Sequence, residues 1–208
     1  MYHQSCEAFI ENLHSSAPTP GGGGASAYMG AVSAALGGMV LNLAREKAKT
    51  EEACKELDEY IATASTLEKR FLDLMNQDAE GFEPLAEAYR LPRTTPEEKE
   101  YRSRVMEEAL ADACEAPFAM LEAAKETAEF LEQCLHSGAK MAVSDVGVAA
   151  AALRAAAEGA VLNILINAGM MQSEQRKTQI LLRADYETGF VVAKARQIYR
   201  AVKNRIKK

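Results

Sequence analysis

Apolar side chains recur every three or four residues along most of the chain, and no stretch alternates convincingly between apolar and polar positions. Alanine is the commonest residue and β-branched residues are sparse, a composition that is typical of α-helices. The pattern predicts an all-α fold, a single domain of about six long helices in an antiparallel, bundle-like arrangement. The predicted helices span residues 3–14, 22–46, 50–90, 95–136, 144–170 and 174–206.

Turn and cap residues support these boundaries. Thr95 before Pro96 predicts a helix that begins with a capping threonine and a proline at its first position, and Gly138 predicts the end of the same helix. Pro84 and Pro117 fall inside helical patterns, so we expect them to kink or break the helices that contain them.

The second predicted helix lies in an unusually uncharged part of the chain. No charged residue occurs from Ala17 to Ala44, a length that would also span a bilayer. The segment is mostly Gly, Ala and Ser, and this low hydrophobicity favours a buried core helix without membrane contact. Small residues at helical spacing predict close packing against another helix; they are Ala27, Gly30, Ala31, Ala34, Ala35 and Gly38.

Composition and charge narrow the class of protein. With 208 residues and 48% hydrophobic side chains, the chain can bury a substantial core. Its 24 basic and 30 acidic residues give a net charge of −6, which argues against a nucleic-acid-binding surface. The four cysteines form no Cys-x-x-Cys motif, and the N-terminus lacks the features of a signal peptide. We therefore expect free thiols and a cytoplasmic location.

Asp78 is the most informative residue for chemistry. It occupies a position in helix 50–90 where the apolar stripe requires another hydrophobic side chain. A carboxylate on an inner face has a raised pKa unless a cation or hydrogen bonds compensate, and such groups are frequent acid–base catalysts. The alternative is a structural aspartate that caps or bridges a neighbouring helix, and the residues alone leave both interpretations open.

Two asparagines lie one turn apart in the otherwise apolar helix 144–170. Buried amides need several hydrogen-bond partners, so Asn163 and Asn167 indicate either an internal network or a polar ligand. Ser144 and Asp145 open the same helix, and both residue types are good N-caps. A ligand-binding helix terminus is the functional alternative for this pair.

Four consecutive glycines, Gly21 to Gly24, follow Pro20. No Gly-Lys-Ser/Thr follows, and no strand leads in, so the run is neither a P-loop nor a dinucleotide-binding loop. At the start of a helix it offers unpaired N–H groups to an anion or a planar heterocycle. The three histidines have no repeated metal-ligand spacing, which favours chemistry without a metal.

Five groups of residues, in the same order, resemble the cyclodeaminase/cyclohydrolase family. This family comprises the cyclodeaminase half of formiminotransferase-cyclodeaminase and stand-alone bacterial methenyltetrahydrofolate cyclohydrolases. The segments are PGGG at 20–23, MVLNL at 39–43, DAEGF at 78–82, LP at 91–92 with TPE at 95–97, and SD at 144–145 with NILIN at 163–167.

The resemblance implies a helical, metal-free, homodimeric enzyme that acts on the one-carbon unit between N5 and N10 of tetrahydrofolate, with no cofactor beyond that substrate. Asp78 matches the family's catalytic aspartate, and Pro20 to Gly23 match its folate-contacting loop. The remaining matched side chains are expected to line or support the same pocket; they are Ser144, Asp145, Asn163 and Asn167.

The chain departs from the family pattern at two places. Gly24 stands where the family often has Ser, and Ala44-Arg45-Glu46-Lys47 replaces a frequent Thr-x-Gly-Lys, so that only Lys47 keeps a basic position. Lys47, Lys49 and Lys140 are candidates for holding the glutamate tail of the folate, with or without further glutamates.

Three functions are consistent with the sequence. A lone domain favours methenyltetrahydrofolate cyclohydrolase, with Asp78 as the proton shuttle. Formimidoyltetrahydrofolate cyclodeaminase, which releases ammonia, is the alternative within the same family. A non-catalytic helical dimer that serves in binding or assembly is the alternative of another class.

Overall fold

The computed structural model describes residues 3–208, and within that range the regular structure is entirely helical. The all-α prediction is confirmed. One short helix precedes six long ones, and the 3₁₀ turn Lys140–Ala142 leads into the sixth α-helix. The α-helices are α1 (Cys6–His14), α2 (Gly22–Arg45), α3 (Glu51–Arg90), α4 (Pro96–Asp112), α5 (Glu115–Ser137), α6 (Val143–Gly169) and α7 (Glu174–Ile206).

The predicted helix 95–136 is wrong in one respect, because it consists of two helices, α4 and α5, that separate at Ala113 and Cys114. Pro117 lies in the first turn of α5, where its missing N–H would have had no partner within the helix. The proline therefore marks a helix start and not a kink. Pro84 does not break α3, which runs through it without interruption.

The predicted ends of this region are confirmed. The Thr95 hydroxyl accepts the N–H of Glu98 at 3.2 Å, and the Glu98 carboxylate accepts the N–H of Thr95 at 3.1 Å. This reciprocal pair is a capping box, with Pro96 at the first helical position. Gly138 follows the last residue of α5 and donates its N–H to the carbonyl of Cys134.

Helix α2 lies at the centre of the core, packed against α3, α5 and α6. Its small residues allow this close packing, as predicted. The ring of Phe71 lies directly on Gly30 and that of Phe130 on Gly37, so that a Cβ at either glycine would overlap the ring. Large aromatic side chains therefore fill the space that the glycines leave open.

Helices α2 and α6 run antiparallel. Gly22, at the start of α2, faces Asn163 near the end of α6, whereas the carbonyl of Val40 accepts the N–H of Ala139, just before α6. The start of α2 therefore lies beside the end of α6, and this pairing positions the site described below.

Two segments of the described chain are long and apolar enough to cross a membrane by length and composition alone. They are α2 and the stretch Lys140–Gly169, in which 50% and 39% of the most apolar window is buried inside the protein. A core helix passes the same test, and the expectation of no membrane contact stays a prediction.

Candidate active site

A pocket of about 310 Å³ lies where the start of α2, the second half of α3 and the end of α6 meet. It combines one carboxylate, two amides and bare glycine backbone with apolar walls. The lining residues are Pro18, Thr19, Gly21, Gly22, Gly23, Asp78, Phe82, Leu85, Tyr89, Ala113, Asn163, Ile166, Asn167 and Met170.

Asp78 is the acidic side chain of this pocket. It is half-buried, and burial raises the pKa of its carboxyl from 3.8 to about 6. A hydrogen bond from the backbone N–H of Gly24 acts in the opposite direction, because it stabilises the ionised form. The balance gives a carboxyl group that can both accept and donate a proton near neutral pH.

The glycine run forms the wall against which the Asp78 carboxylate lies. Gly21 is the residue before α2, and Gly21, Gly22 and Gly23 line the pocket. Gly24 is buried behind this wall, where its N–H reaches Asp78. Pro20 lines an adjoining groove and not the pocket itself.

The two asparagines enter the pocket from α6. The side-chain N–H₂ of Asn163 donates to the carbonyl of Gly159 at 3.0 Å, and that of Asn167 donates to the carbonyl of Ala113 at 3.1 Å. Because a carbonyl only accepts hydrogen bonds, both amide orientations are fixed. Their Oδ1 atoms remain as acceptors, so the pocket presents two amide oxygens besides the carboxylate.

A larger groove, about 740 Å³, adjoins the pocket and shares Pro18, Thr19 and Phe82 with it. Its acidic side chains, Glu80, Glu83 and Glu87, are exposed to solvent and lie on the outer side of α3. The groove does not include Asp78. The smaller pocket therefore carries the half-buried carboxylate and is the better candidate for chemistry.

The structure does not bring every predicted site residue to this pocket. Ser144 and Asp145 lie in the first turn of α6, 19 and 18 residues before Asn163, and so about 28 Å away along the helix axis. They are not N-caps, because the 3₁₀ turn runs directly into α6 and Ala142 takes the cap position. Their predicted part in the site stays a prediction.

The candidate lysines lie at the same distant end. The Nζ of Lys47 is 3.0 Å from the Sδ of Met141, which places Lys47 next to the 3₁₀ turn that contains Lys140. Lys49 follows shortly after α2 ends. Within one chain, about 30 Å separates these residues from Asp78. Their part in holding the glutamate tail stays a prediction.

The sequence reasoning missed several pocket residues. Tyr89 on α3 and Met170 after α6 both line the pocket, and their side chains meet, with the hydroxyl of Tyr89 3.2 Å from the Met170 Sδ. Helical spacing from the predicted site residues could have identified both. Tyr89 is three turns beyond Asp78 on one face of α3, and Met170 is two turns beyond Asn163.

Other reactive groups lie elsewhere. Cys114 and Cys134 are buried, and burial raises the pKa of their thiols to about 11 and about 12, so neither forms a thiolate readily. Among residues 3–208, no three His, Cys, Asp or Glu side chains are grouped as metal ligands.

The chain is similar to known proteins over almost all of its length. A family model described as formiminotransferase-cyclodeaminase matches residues 5–185. A methenyltetrahydrofolate cyclohydrolase from Methylorubrum extorquens is 33% identical over 98% of both chains. A formimidoyltransferase-cyclodeaminase from Mus musculus is 29% identical over 78% of this chain and 30% of that longer protein.

A solved structure shows the same fold. The formiminotetrahydrofolate cyclodeaminase from Thermotoga maritima superimposes with a TM-score of 0.80, at 26% identity over 99% of this chain and 96% of that chain. The family match, the full-length relative and the shared fold agree with one another. The chain therefore belongs to the formiminotransferase-cyclodeaminase family, whose matched members are enzymes of folate metabolism.

Proposed function

We propose that this protein is a methenyltetrahydrofolate cyclohydrolase, which converts 5,10-methenyltetrahydrofolate and water into 10-formyltetrahydrofolate with Asp78 as the proton shuttle. The observation that carries the proposal is the half-buried Asp78 carboxyl, with a pKa of about 6, in a pocket suited to a flat heterocycle. In this proposal the enzyme is cytoplasmic and needs no cofactor beyond its tetrahydrofolate substrate.

The reaction needs a proton to be taken from the attacking water and a proton to be delivered to N5. Ionised Asp78 accepts a proton from the water that adds to the amidinium carbon, and the resulting carboxylic acid returns a proton to N5 as the bond between that carbon and N5 breaks. The hydroxyl on the carbon loses its proton to solvent, and the formyl group on N10 remains. The ionised carboxylate also stabilises the cationic substrate electrostatically.

The polar lining supports a reduced pterin as the ligand. Such a ring presents N–H donors at its 2-amino group, at N3 and at N8. The Oδ1 atoms of Asn163 and Asn167 can accept from such donors, because the N–H₂ group of each amide is the side that is bonded to a backbone carbonyl. A polar pocket discriminates by matching buried donors to acceptors.

Cyclodeamination is the second candidate, supported by the Thermotoga maritima structure, which also matches over almost its full length. In that reaction N10 attacks the formimino carbon, and ammonia leaves after a similar proton transfer through Asp78. The cyclohydrolase is preferred because the full-length relative with that name is more similar in sequence, at 33% against 26% identity.

A parallel assay tests the proposal. The purified protein is incubated with methenyltetrahydrofolate and with formiminotetrahydrofolate, and loss of absorbance and release of ammonia are followed. We expect turnover of the methenyl substrate with a higher kcat/KM than the formimino substrate. Faster ammonia release would replace the cyclohydrolase by the cyclodeaminase, and turnover of neither would favour the non-catalytic helical dimer.

We further propose, as part of this function, a homodimer in which a second copy covers the outer face of α6. Val148, Ala155 and Leu162 are exposed and lie seven residues apart, which places them along one line of α6, and the exposed Met141 lies in the 3₁₀ turn that precedes the helix. Three of these side chains are large and apolar, and Ile166 on the same face lines the pocket. The face is thus an exposed apolar surface that is continuous with the site, and such surfaces mark interfaces between proteins.

Replacing Leu162 by glutamate tests the dimer. Leu162 is 64% exposed, so the change leaves the core intact but places a charge on the proposed interface. We expect the mass in solution, measured by light scattering after size-exclusion chromatography, to halve. Ile10→Glu on α1, at 59% exposure, is the matched control and should leave the mass unchanged. An unchanged mass for Leu162→Glu would contradict this interface.

A further inference from the structure

Gly23 and Asp78 are in unusually close contact for residues on different helices. An ideal Cβ built on Gly23 would overlap the Cγ and both carboxylate oxygens of Asp78, whereas one on the adjacent Gly22 would lie 3.8 Å from Asn163, an ordinary contact. The carboxylate therefore lies directly over the Cα of Gly23, in the space that any side chain would fill.

The backbone on both sides of this contact is anchored. On α3, Leu74 and Met75 are buried just before Asp78, and Leu85 is buried two turns after it. On α2, Ala27 is buried one turn after Gly23. Neither helix can shift without disturbing the core. A side chain at position 23 would therefore have to turn the carboxylate away from α2.

The place that the carboxylate occupies has a chemical advantage. There it accepts the N–H of Gly24 in the first turn of α2, where unpaired N–H groups and the helix dipole favour a negative charge. These interactions partly offset the cost of burying the ion. The carboxylate is thus held in one orientation, toward a pocket whose walls it shares with the glycines.

We propose that Gly23 is a positioning residue for Asp78: its missing Cβ lets the carboxylate lie against the first turn of α2 and fixes the direction of proton transfer. The role of Gly23 is thus distinct from the substrate contact expected for Gly22. The kinetic part of this inference rests on the proposed function, but the contact itself can be tested without substrate.

The direct test follows the backbone amide proton of Gly24 by NMR as pH is changed. In the wild-type protein, its chemical shift should titrate with a midpoint near 6, because the carboxylate that it binds ionises there. In Gly23→Ala, which retains Gly24, that titration should disappear. Gly81→Ala is the matched control, because a Cβ there meets nothing within 4 Å, and it should keep the titration. A full titration in Gly23→Ala would overturn the proposal.

A stability cycle covers the case in which Gly23→Ala does not fold. If the damage comes from overlap with the carboxylate, Gly23→Ala should fold in an Asp78→Ala background, where the overlapping group is gone. A double variant that stays unfolded would show that the fold itself requires the glycine, and would overturn the positioning role.

Kinetics separate this inference from the proposed function. With methenyltetrahydrofolate, Gly23→Ala should lower kcat by about 100-fold with little change in KM, as expected for a misplaced catalytic group. A change confined to KM would instead assign Gly23 to substrate binding and overturn the inference. If the wild-type protein turns over neither folate, the proposed function fails, whereas the NMR result still decides the contact between Gly23 and Asp78.

Discussion

Replacing Asp78 by asparagine is expected to lower kcat with methenyltetrahydrofolate by at least about 100-fold while leaving the fold intact. Asparagine has nearly the same shape and can still accept the N–H of Gly24, but it cannot take a proton from water. The matched control is Glu80→Gln, an exposed position on the same helix outside the pocket, which should keep wild-type kcat. A kcat of Asp78→Asn equal to that of the wild type would show that Asp78 takes no part in the mechanism.

The same substitution should make the protein more stable at neutral and alkaline pH. The folded-state pKa of Asp78 is about 6, against 3.8 for the free group, so the native state retains its proton to higher pH than the unfolded state. The ionised, half-buried group therefore destabilises the wild-type protein increasingly between about pH 4 and 6, by at most about 3 kcal/mol from a shift of about two pKa units.

Thermal unfolding at several pH values measures this effect. The melting temperature of Asp78→Asn should exceed that of the wild type at pH 8, and the difference should shrink below about pH 4, where Asp78 is protonated in both states. In the wild-type enzyme, kcat/KM should fall below about pH 6, because the ionised form is needed to accept a proton. A loss of stability at pH 8 would instead assign Asp78 a structural role.

Helical periodicity made much of the site predictable. Asp78 was identified because it interrupts an apolar stripe, and that signal is local to α3. The asparagines were identified in the same way on α6. The structure places Asp78, Asn163 and Asn167 in one pocket, so a local pattern was sufficient to find polar side chains on inner faces.

Contacts between helices were not predictable to the same degree. The close contact between Gly23 and Asp78 depends on how α2 crosses α3, which no pattern in either helix specifies. The distance between Ser144 and Asn163, in contrast, was predictable, because both residues lie on one continuous predicted helix. A rise of about 1.5 Å per residue places them too far apart to line one pocket within a chain. The order of the motifs along the chain indicated the family, but not which of the matched residues lie close together in the structure.

The division between α4 and α5 shows a third limit. Ala113 and Cys114, where the helix ends, are neither glycine nor proline, so the sequence carries no strong turn signal there. The break matters for the site, because it leaves the carbonyl of Ala113 free to accept the Asn167 amide. The nearest signal was Pro117, which is typical of the first turn of a helix as well as of a kink.

Replacing Gly22 by valine is expected to weaken substrate binding more than it weakens the fold. Gly22 is exposed at the first position of α2 and lines the pocket. A Cβ there would meet only the Asn163 amide at 3.8 Å, but the two methyl groups of valine would extend into a pocket of about 310 Å³. We expect KM to rise by about tenfold, which corresponds to about 1.4 kcal/mol of binding free energy.

The control for Gly22→Val is Gly81→Val on α3, outside the pocket, where an added Cβ meets nothing within 4 Å, and it should leave KM unchanged. The contrast with Gly23 is the sharper result. Substitutions of these adjacent glycines should change different kinetic constants. Gly22→Val should raise KM, because Gly22 faces the pocket, and Gly23→Ala should lower kcat, because Gly23 faces the carboxylate of Asp78. Equal effects of both substitutions on KM and kcat would show that the glycine run acts only as a single structural unit.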